Sequence, residues 1–269
     1  MRPETALLTI RVLCWAGSLV AGAITVRADF LEDANKVLSY NDSTGTLRLR
    51  LSGLVDLEGY YFSQPAPGLI EAEGHYLLNP RLTTFIDAQW TNHLYFFGQV
   101  RFDRGFDPSD KGAQIRFDEY FLRYLPGDTD ALTFQLGKFA TVVGNWVQRH
   151  YSWENPFINA PLPYENLSGI WDVAAPPNVD VLLSWAHVAY YRASTDSDKY
   201  LRLPMIWGPS YATGAAVNGF IGKIDFAAEV KNAALASRPE SWDLTKTNFD
   251  HPTFSGRPCA SHTSRRPEQ

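Results

Sequence analysis

Apolar and polar side chains alternate strictly along residues 46–61, TLRLRLSGLVDLEGYY. Every second position from Leu47 to Tyr61 is uncharged, whereas the intervening positions carry four charges, on Arg48, Arg50, Asp56 and Glu58. Because successive side chains of a β-strand point to opposite faces, this pattern predicts one long strand with an apolar face and a charged face. Strands in globular proteins usually have about 5–6 residues. The length therefore raises the question of what covers the apolar face, a protein core or lipid.

The same alternation recurs along the chain and predicts an all-β fold. About nine antiparallel strands are expected, at residues 46–61, 81–90, 94–103, 114–125, 131–139, 168–173, 179–191, 211–220 and 223–232. Short turns at 91–93, 126–130, 174–178 and 221–223 alternate with longer loops at 63–80, 104–113, 140–166 and 192–209. One strand is less regular, because Arg116 and Asp118 share a face with Tyr120 and Tyr124. We expect that end of the strand to lie outside any apolar layer.

Three features favour lipid over a protein core. Apolar faces end in aromatic side chains near turns, as interfacial girdles do, at Tyr61, Trp90, Tyr124 and Trp185. The polar faces mix acidic and basic side chains, and turn and loop lengths alternate as in membrane barrels. Because lipid cannot satisfy backbone polar groups, strands cross it only as a closed barrel. We therefore predict an antiparallel meander of a transmembrane β-barrel, with a pore lined by Arg48, Arg50, Asp56, Glu58, Asp87, Arg101, Glu119 and Arg123.

The alternative is a soluble β-sandwich, in which the same charged side chains form a solvated outer face. A mean hydropathy of −0.22 is compatible with both folds, since the alternating strands of a barrel average out.

The N-terminus predicts export. Residues 1–28 combine basic side chains, a short apolar run and small residues before Ala28, which is typical of a cleaved signal peptide. Its removal changes the formal net charge of the chain from −5 to −7, so no basic surface favours nucleic acid. Cys259 is then the remaining cysteine, and no internal disulfide is expected.

The long irregular stretch at residues 140–166 is the best candidate for a functional loop, since loops of this length are uncommon. Its candidate pore-constricting residues are Trp146, Arg149, Trp153 and Glu154. The alternative function is a secreted carbohydrate-binding module with stacking tryptophans, or a glycoside hydrolase using Glu154 and Glu165 as paired carboxylates. The chain carries no hydrolase, phosphate-loop or dinucleotide-binding motif, and its histidines lack metal-ligand spacing. We therefore expect no enzyme activity, no cofactor and no metal.

Residues 115–139, IRFDEYFLRYLPGDTDALTFQLGKF, resemble a stretch of Gram-negative porins of the phosphate-selective and related types. Val142-Val143-Gly144, Asn79-Pro80-Arg81 and LSGLVDLEGYYF add to this resemblance, which covers residues 46–256. The resemblance implies an outer-membrane channel for passive diffusion of small hydrophilic solutes or ions. It further implies outer-membrane lipid as a partner, a loop at 140–166 folded into the pore, and a homotrimer.

The C-terminal end departs from that family, whose last strand ends in an aromatic residue. Residues 257–269 contain no Leu, Ile, Val or aromatic residue, so we expect no strand there and interpret them as a non-native or disordered tail. Nine strands would also leave two edges open. We therefore expect a leader at 1–28, an N-terminal segment at 29–45 and, at 46–256, the front part of a larger barrel.

Overall fold

The computed structural model describes residues 36–63, 70, 75–104, 112–129, 131–144, 146–147, 150–152, 154–155, 160–165, 167–171, 179–180, 202–239, 249–250 and 252–260. The chain divides into two compact units, Met1–Tyr40 and Asn41–Gln269. In the first unit, the described residues 36–40 include the start of a strand. The second unit contains all of the side chains discussed below. No helix within the described ranges is long and apolar enough to cross a membrane.

The fold is all-β, with nine antiparallel strands in one meander. These strands are β1 (Ser39–Asn41), β2 (Leu47–Tyr61), β3 (Tyr76–Trp90), β4 (Leu94–Asp103), β5 (Gln114–Tyr124), β6 (Leu132–Phe139), β9 (Ala212–Ile221), β10 (Ile224–Lys231) and β11 (Thr253–Ala260). They are hydrogen-bonded in the order β1-β2-β3-β4-β5-β6-β9-β10-β11. Because β1 and β11 end this order, the described sheet is not closed. The predicted fold class is confirmed.

The strands that make up the nine differ from the prediction. Residues 168–173 correspond to β7 (Leu167–Trp171), which pairs with β8 (Arg202–Pro204) in a separate two-stranded sheet. A four-residue helix, α1 (Leu162–Glu165), precedes β7. Residues 172–178 and 181–200 lie outside the described residues, and they carry the predicted turn at 174–178 and most of the predicted strand at 179–191. In the nine-stranded sheet, β1 and β11 replace these two predicted strands.

Strands β2 and β3 pair along their whole length, from Leu47 opposite Trp90 to Tyr61 opposite Tyr76. The predicted strand began at residue 81, whereas β3 begins at Tyr76 and includes Pro80, a residue that is usually confined to positions where no ladder donor is needed. Pairing between β3 and β4 begins only at Leu82, so Pro80 lies where β3 pairs with β2 alone. The predicted loop at 63–80 is therefore shorter than expected.

A β-bulge in β5 corrects the expectation for Arg116 and Asp118. Glu119 pairs with Gln99 and Phe117 pairs with Val100, so Asp118 is an extra residue between two ladder positions. A bulge of this kind reverses the phase of the side chains that precede it. Arg116 and Asp118 therefore join Glu119 on the charged face, where both are buried.

Short and long connections alternate through the meander. The short ones span residues 42–46, 91–93, 125–131 and 222–223, and the long ones span 62–75, 104–113, 140–211 and 232–252. The shortest turn uses Gly222 at φ +61°, a conformation that two-residue hairpins favour. Residues 140–211, hereafter the long connection, join two strands that are neighbours in the sheet.

Strand β11 corrects the expectation that no strand forms beyond residue 256. Residues Arg257–Ala260 continue β11 and pair with β10 as far as Ala260 opposite Ile224. Backbone pairing requires no apolar side chain, and Pro258 is tolerated because β11 has a neighbour on one side only. Residues 261–269 lie outside the described residues.

Candidate functional site

The sheet has an apolar face that is exposed and a charged face that is buried. The apolar face, hereafter the outer face, comprises Leu49, Leu51, Val55, Leu57, Tyr61, Tyr76, Leu78, Leu82, Ile86, Trp90, Phe96, Phe102, Ile115, Leu122, Tyr124, Leu132, Phe134, Leu136, Ile221, Ile224 and Phe254. Leu57 is 78% exposed, whereas Arg116 on the opposite, inner face is 1% exposed. This is the reverse of a water-soluble sheet, in which charged side chains face solvent and apolar ones are covered.

On β2 and β3, an arginine bridges two carboxylates of the inner face. Arg81 lies 3.2 Å from Asp56 through Nε and also forms an ion pair with Glu58. The Asn79 amide donates a hydrogen bond of 2.8 Å to Glu58. Thus both carboxylates near the middle of β2 are held by donors from β3.

Across β4 and β5, the inner face carries a buried ionic network. Arg116 binds both carboxylate oxygens of Asp103, at 2.6 and 3.0 Å, and also contacts Asp118 at 3.1 Å. Arg101 lies 3.3 Å from Asp118 on its other side. Two-point binding between a guanidinium and a carboxylate is among the strongest charged hydrogen bonds, and it fixes the geometry of both groups.

Arg123, closer to the short turns, is held differently. Its Nη2 and Nε donate to the Gln135 side-chain oxygen at 2.8 and 3.2 Å. The guanidinium carbon also lies 5.2 Å from the ring centroid of Phe121 and 5.9 Å from that of Tyr95. The Tyr95 hydroxyl in turn donates a hydrogen bond to Asp87. Arg123 is therefore positioned by an amide and two aromatic rings instead of a carboxylate.

The first part of the long connection lies along the inner face. This docked segment, which comprises the described residues 140–144, 146–147 and 150–152, contacts the sheet through Ala140 N–H to Glu119 (2.8 Å) and Ser152 Oγ to Asp56 (2.5 Å). When the Gln99 side-chain oxygen accepts from Arg101, the Gln99 side-chain nitrogen donates to the Tyr151 hydroxyl at 2.7 Å and to Glu119 at 3.1 Å. The segment thus contacts the inner face from β2 to β5.

Two charged residues of β10 hold both ends of the long connection. The Lys231 ammonium donates to the carbonyl oxygens of Phe139 (2.6 Å) and Ser210 (3.0 Å), one at each end. Glu229, 3.7 Å from Lys231, accepts from the Thr141 hydroxyl at 2.5 Å and from the Val142 amide at 3.1 Å. We call this arrangement the Lys231 clamp.

His150 is held inside the docked segment in its neutral form. Its Nδ1 lies 2.5 Å from the Val147 carbonyl oxygen and donates to it, so Nε2 accepts from the Tyr211 hydroxyl at 2.9 Å. Burial, reinforced by the positive charge of Arg101, lowers the pKa of His150 to about 4. Burial is also the main cause that raises the pKa of the Tyr211 hydroxyl, so it stays a donor.

A cavity of about 540 Å³ lies between the inner face and the docked segment. Its lining includes the charged side chains of Arg123, Glu119, Asp225 and Arg257. Aromatic side chains also line it, including those of Tyr95 and Phe97 on β4, Phe121 on β5 and Phe139 on β6. The cavity therefore combines separated charges with ring surfaces.

Six of the eight predicted pore-lining residues lie in these inner-face contacts, namely Asp56, Glu58, Asp87, Arg101, Glu119 and Arg123. The other two, Arg48 and Arg50, are exposed near the turn-proximal end of β2. Among the predicted loop residues, Trp146 packs against Tyr164 with ring centroids 4.5 Å apart, and Glu154 is exposed. Arg149 and Trp153 lie outside the described residues.

Sequence reasoning missed several inner-face residues. Alternation already placed Arg81, Asp103, Glu229 and Lys231 on polar faces, so a stricter use of that signal identifies them. Arg116 and Asp118 required knowledge of the bulge, and Arg257 required β11 to be recognised.

The described residues contain no group of three or more histidine, cysteine, aspartate or glutamate side chains arranged to hold a metal ion. Of the two carboxylates of the glycosidase alternative, Glu154 is exposed, and the side chain of Glu165 lies outside the described residues. No protein-family model and no curated protein matches the chain.

Proposed function

We propose that this chain forms a porin-like channel in the outer membrane of a Gram-negative cell, through which small hydrophilic solutes or ions diffuse passively. One observation carries the proposal: the exposed face of the sheet is apolar from β2 to β11, while its charges lie on the covered face. A water-soluble protein rarely exposes an apolar patch larger than a few hundred Å². Lipid is the environment in which such a face is favourable.

The dimensions of the outer face support the proposal. Strands rise about 3.3 Å per residue, so β2 from Leu47 to Tyr61 extends over about 46 Å. At the tilt of about 45° common in membrane barrels, that length covers about 33 Å along the membrane normal, close to the bilayer core of about 30 Å. Aromatic pairs mark one end, where the Tyr61 and Tyr76 rings lie 5.2 Å apart, and Trp90 and Tyr124 mark the other.

The inner face supports a solute path lined by both signs of charge. Basic and acidic side chains are mixed across β2 to β5, and the docked segment covers part of this face. Rings of charged side chains and constrictions select ions in channels. A pore also requires both sheet edges, β1 and β11, to be paired, because lipid satisfies no backbone groups. The proposed protein is exported through its N-terminal leader, and its resemblance to porins favours a homotrimer.

The experiment that tests the proposal is envelope fractionation followed by conductance. The full chain is expressed in a Gram-negative host, and the outer-membrane fraction is run on gels with and without boiling. We expect a band in that fraction that migrates differently when unboiled, since a closed barrel resists detergent. The purified band should then produce discrete conductance steps in a planar bilayer. A monomeric, soluble periplasmic protein would refute the proposal and favour a secreted binding module.

A further inference from the structure

Arg123 differs from the other arginines described on β3 to β5 of the inner face, because it has no carboxylate partner. Arg81, Arg101 and Arg116 each lie within 3.3 Å of an aspartate. Within the described part of the chain, Arg123 forms no ion pair, and its hydrogen bonds both go to Gln135. A guanidinium has five N–H donors. Donors therefore remain for a ligand beside the cavity that Arg123 lines.

Aromatic rings surround this guanidinium. Phe121 and Tyr95 lie beneath it, and the ring centroid of Phe97 is 5.3 Å from that of Phe121. Phe97 and Phe121 both line the cavity. A planar carboxylate matches the guanidinium fork, and an aromatic body stacks favourably on such rings. The neighbourhood of Arg123 therefore suits a ligand with one carboxylate and one ring.

The charges of the cavity favour a ligand with one negative charge. Two basic side chains, Arg123 and Arg257, and two acidic ones, Glu119 and Asp225, line it. Glu119 accepts hydrogen bonds from the Ala140 amide and the Gln99 side chain, whereas the hydrogen bonds of Arg123 go to Gln135, so no described carboxylate occupies the Arg123 donors. With opposite charges balanced, the cavity offers no excess positive potential for a multivalent anion such as phosphate. Its volume of about 540 Å³ lies within the usual range for small-molecule sites.

We propose that this cavity binds a small aromatic monocarboxylate, with its carboxylate on Arg123 and its ring against Phe97 and Phe121. The binding site then defines the solute class of the channel, and that transport role rests on the proposed function. Binding itself requires only the folded protein. The two proposals can therefore fail separately.

The test measures binding to the folded full-length chain in detergent micelles by isothermal titration calorimetry. Sodium benzoate is the probe, and sodium acetate and inorganic phosphate are the comparisons. We expect saturable benzoate binding, with acetate and phosphate at least tenfold weaker. Arg123→Gln should weaken benzoate binding at least tenfold, whereas the matched control Arg48→Gln, on the exposed end of β2, should leave it unchanged. Phe97→Leu should reduce the preference for benzoate over acetate.

Each result has a defined consequence. Unchanged benzoate affinity in a folded Arg123→Gln protein would overturn the site, and tighter binding of phosphate than of benzoate would overturn the ligand class. If Arg123→Gln does not fold, the ranking of the three probes on the unmodified chain still decides the ligand class. Conductance without benzoate binding would refute the cavity proposal alone. Benzoate binding by a protein that never conducts would support the cavity and refute the channel.

Discussion

Replacing Val55 by arginine gives the sharpest test of which medium contacts the outer face. Val55 lies near the middle of β2, is 68% exposed and pairs with Leu82 of β3. If the outer face meets lipid, Val55→Arg places a charge near the bilayer midplane, which costs about 2–4 kcal/mol in membrane barrels. If it meets water, an exposed substitution of this kind changes stability by less than about 0.5 kcal/mol.

The assay is reversible folding into phosphatidylcholine vesicles across a urea series, followed by the mobility of unboiled protein on gels. A cost of about 2–4 kcal/mol lowers the folding equilibrium constant roughly 30- to 700-fold, because each 1.4 kcal/mol corresponds to a factor of ten. Ser52→Arg is the matched control, since Ser52 lies on the same strand with its side chain on the inner face. We expect it to fold with near-normal stability, as polar lumen positions tolerate charge.

Equal and small effects of Val55→Arg and Ser52→Arg would refute the reasoning, because the two faces of β2 would then contact similar media. A large cost for Ser52→Arg alone would invert the assignment of the faces. Either result would contradict the assignment of the outer face to lipid, on which the channel proposal depends.

Three further predictions concern the inner face and the long connection. Gly137→Ala should lower the free energy of unfolding, measured in urea, by about 3 kcal/mol, because Gly137 has φ +136° and a Cβ would lie 2.2 Å from a carbonyl oxygen of β5. The control Gly59→Ala should show no comparable loss, because a Cβ at residue 59 has no atom within 4 Å. Lys231→Met should lower the free energy of unfolding by about 2–4 kcal/mol and speed proteolysis within residues 140–152, because two carbonyl oxygens lose their donor. An unchanged rate of cleavage would contradict the Lys231 clamp. The pKa of His150 is lowered to about 4 in the folded protein, whereas in the unfolded chain His150 binds a proton from about pH 6.5 downward. The free energy of unfolding should therefore fall as the pH drops from about 6.5 to about 4. His150→Gln should make the free energy of unfolding less dependent on pH over this range.

Sequence patterning predicts β2 well because its partner strand and its alternation agree over the whole element. Leu47 to Tyr61 all pair with β3, so no local irregularity disturbs the two-residue period. Strand β5 is different, since the bulge at Asp118 depends on pairing with β4 and leaves no local sequence signal. Alternation read through the bulge assigns Arg116 to the wrong face. Side-chain hydropathy does not predict β11, because its pairing with β10 comes from backbone groups.

The candidate site likewise has a part that alternation predicts and a part that depends on strand register. Alternation placed Asp56, Glu58 and Arg101 on a charged face without knowledge of any neighbour. Which charge meets which depends on register, as in the pairing of Arg116 with Asp103 from the adjacent strand. The contacts of the docked segment join residues far apart in sequence, such as Ser152 and Asp56. Such contacts follow from the path of a long connection, which no period in the sequence encodes.

The long connection leaves and rejoins the sheet at one place, where the Lys231 clamp holds its two ends together. Strands β6 and β9 pair directly, and the Thr141 amide donates to the Pro209 carbonyl oxygen at 2.8 Å, so residues 140–211 begin and end at one narrow base. The entropy of closing a loop grows only slowly with its length. The extra entropic cost of closing a replacement connection of different length between the same two strands is therefore small. If the chain forms the proposed channel, replacing this one continuous connection would change its permeability while the pairing of the sheet strands is kept.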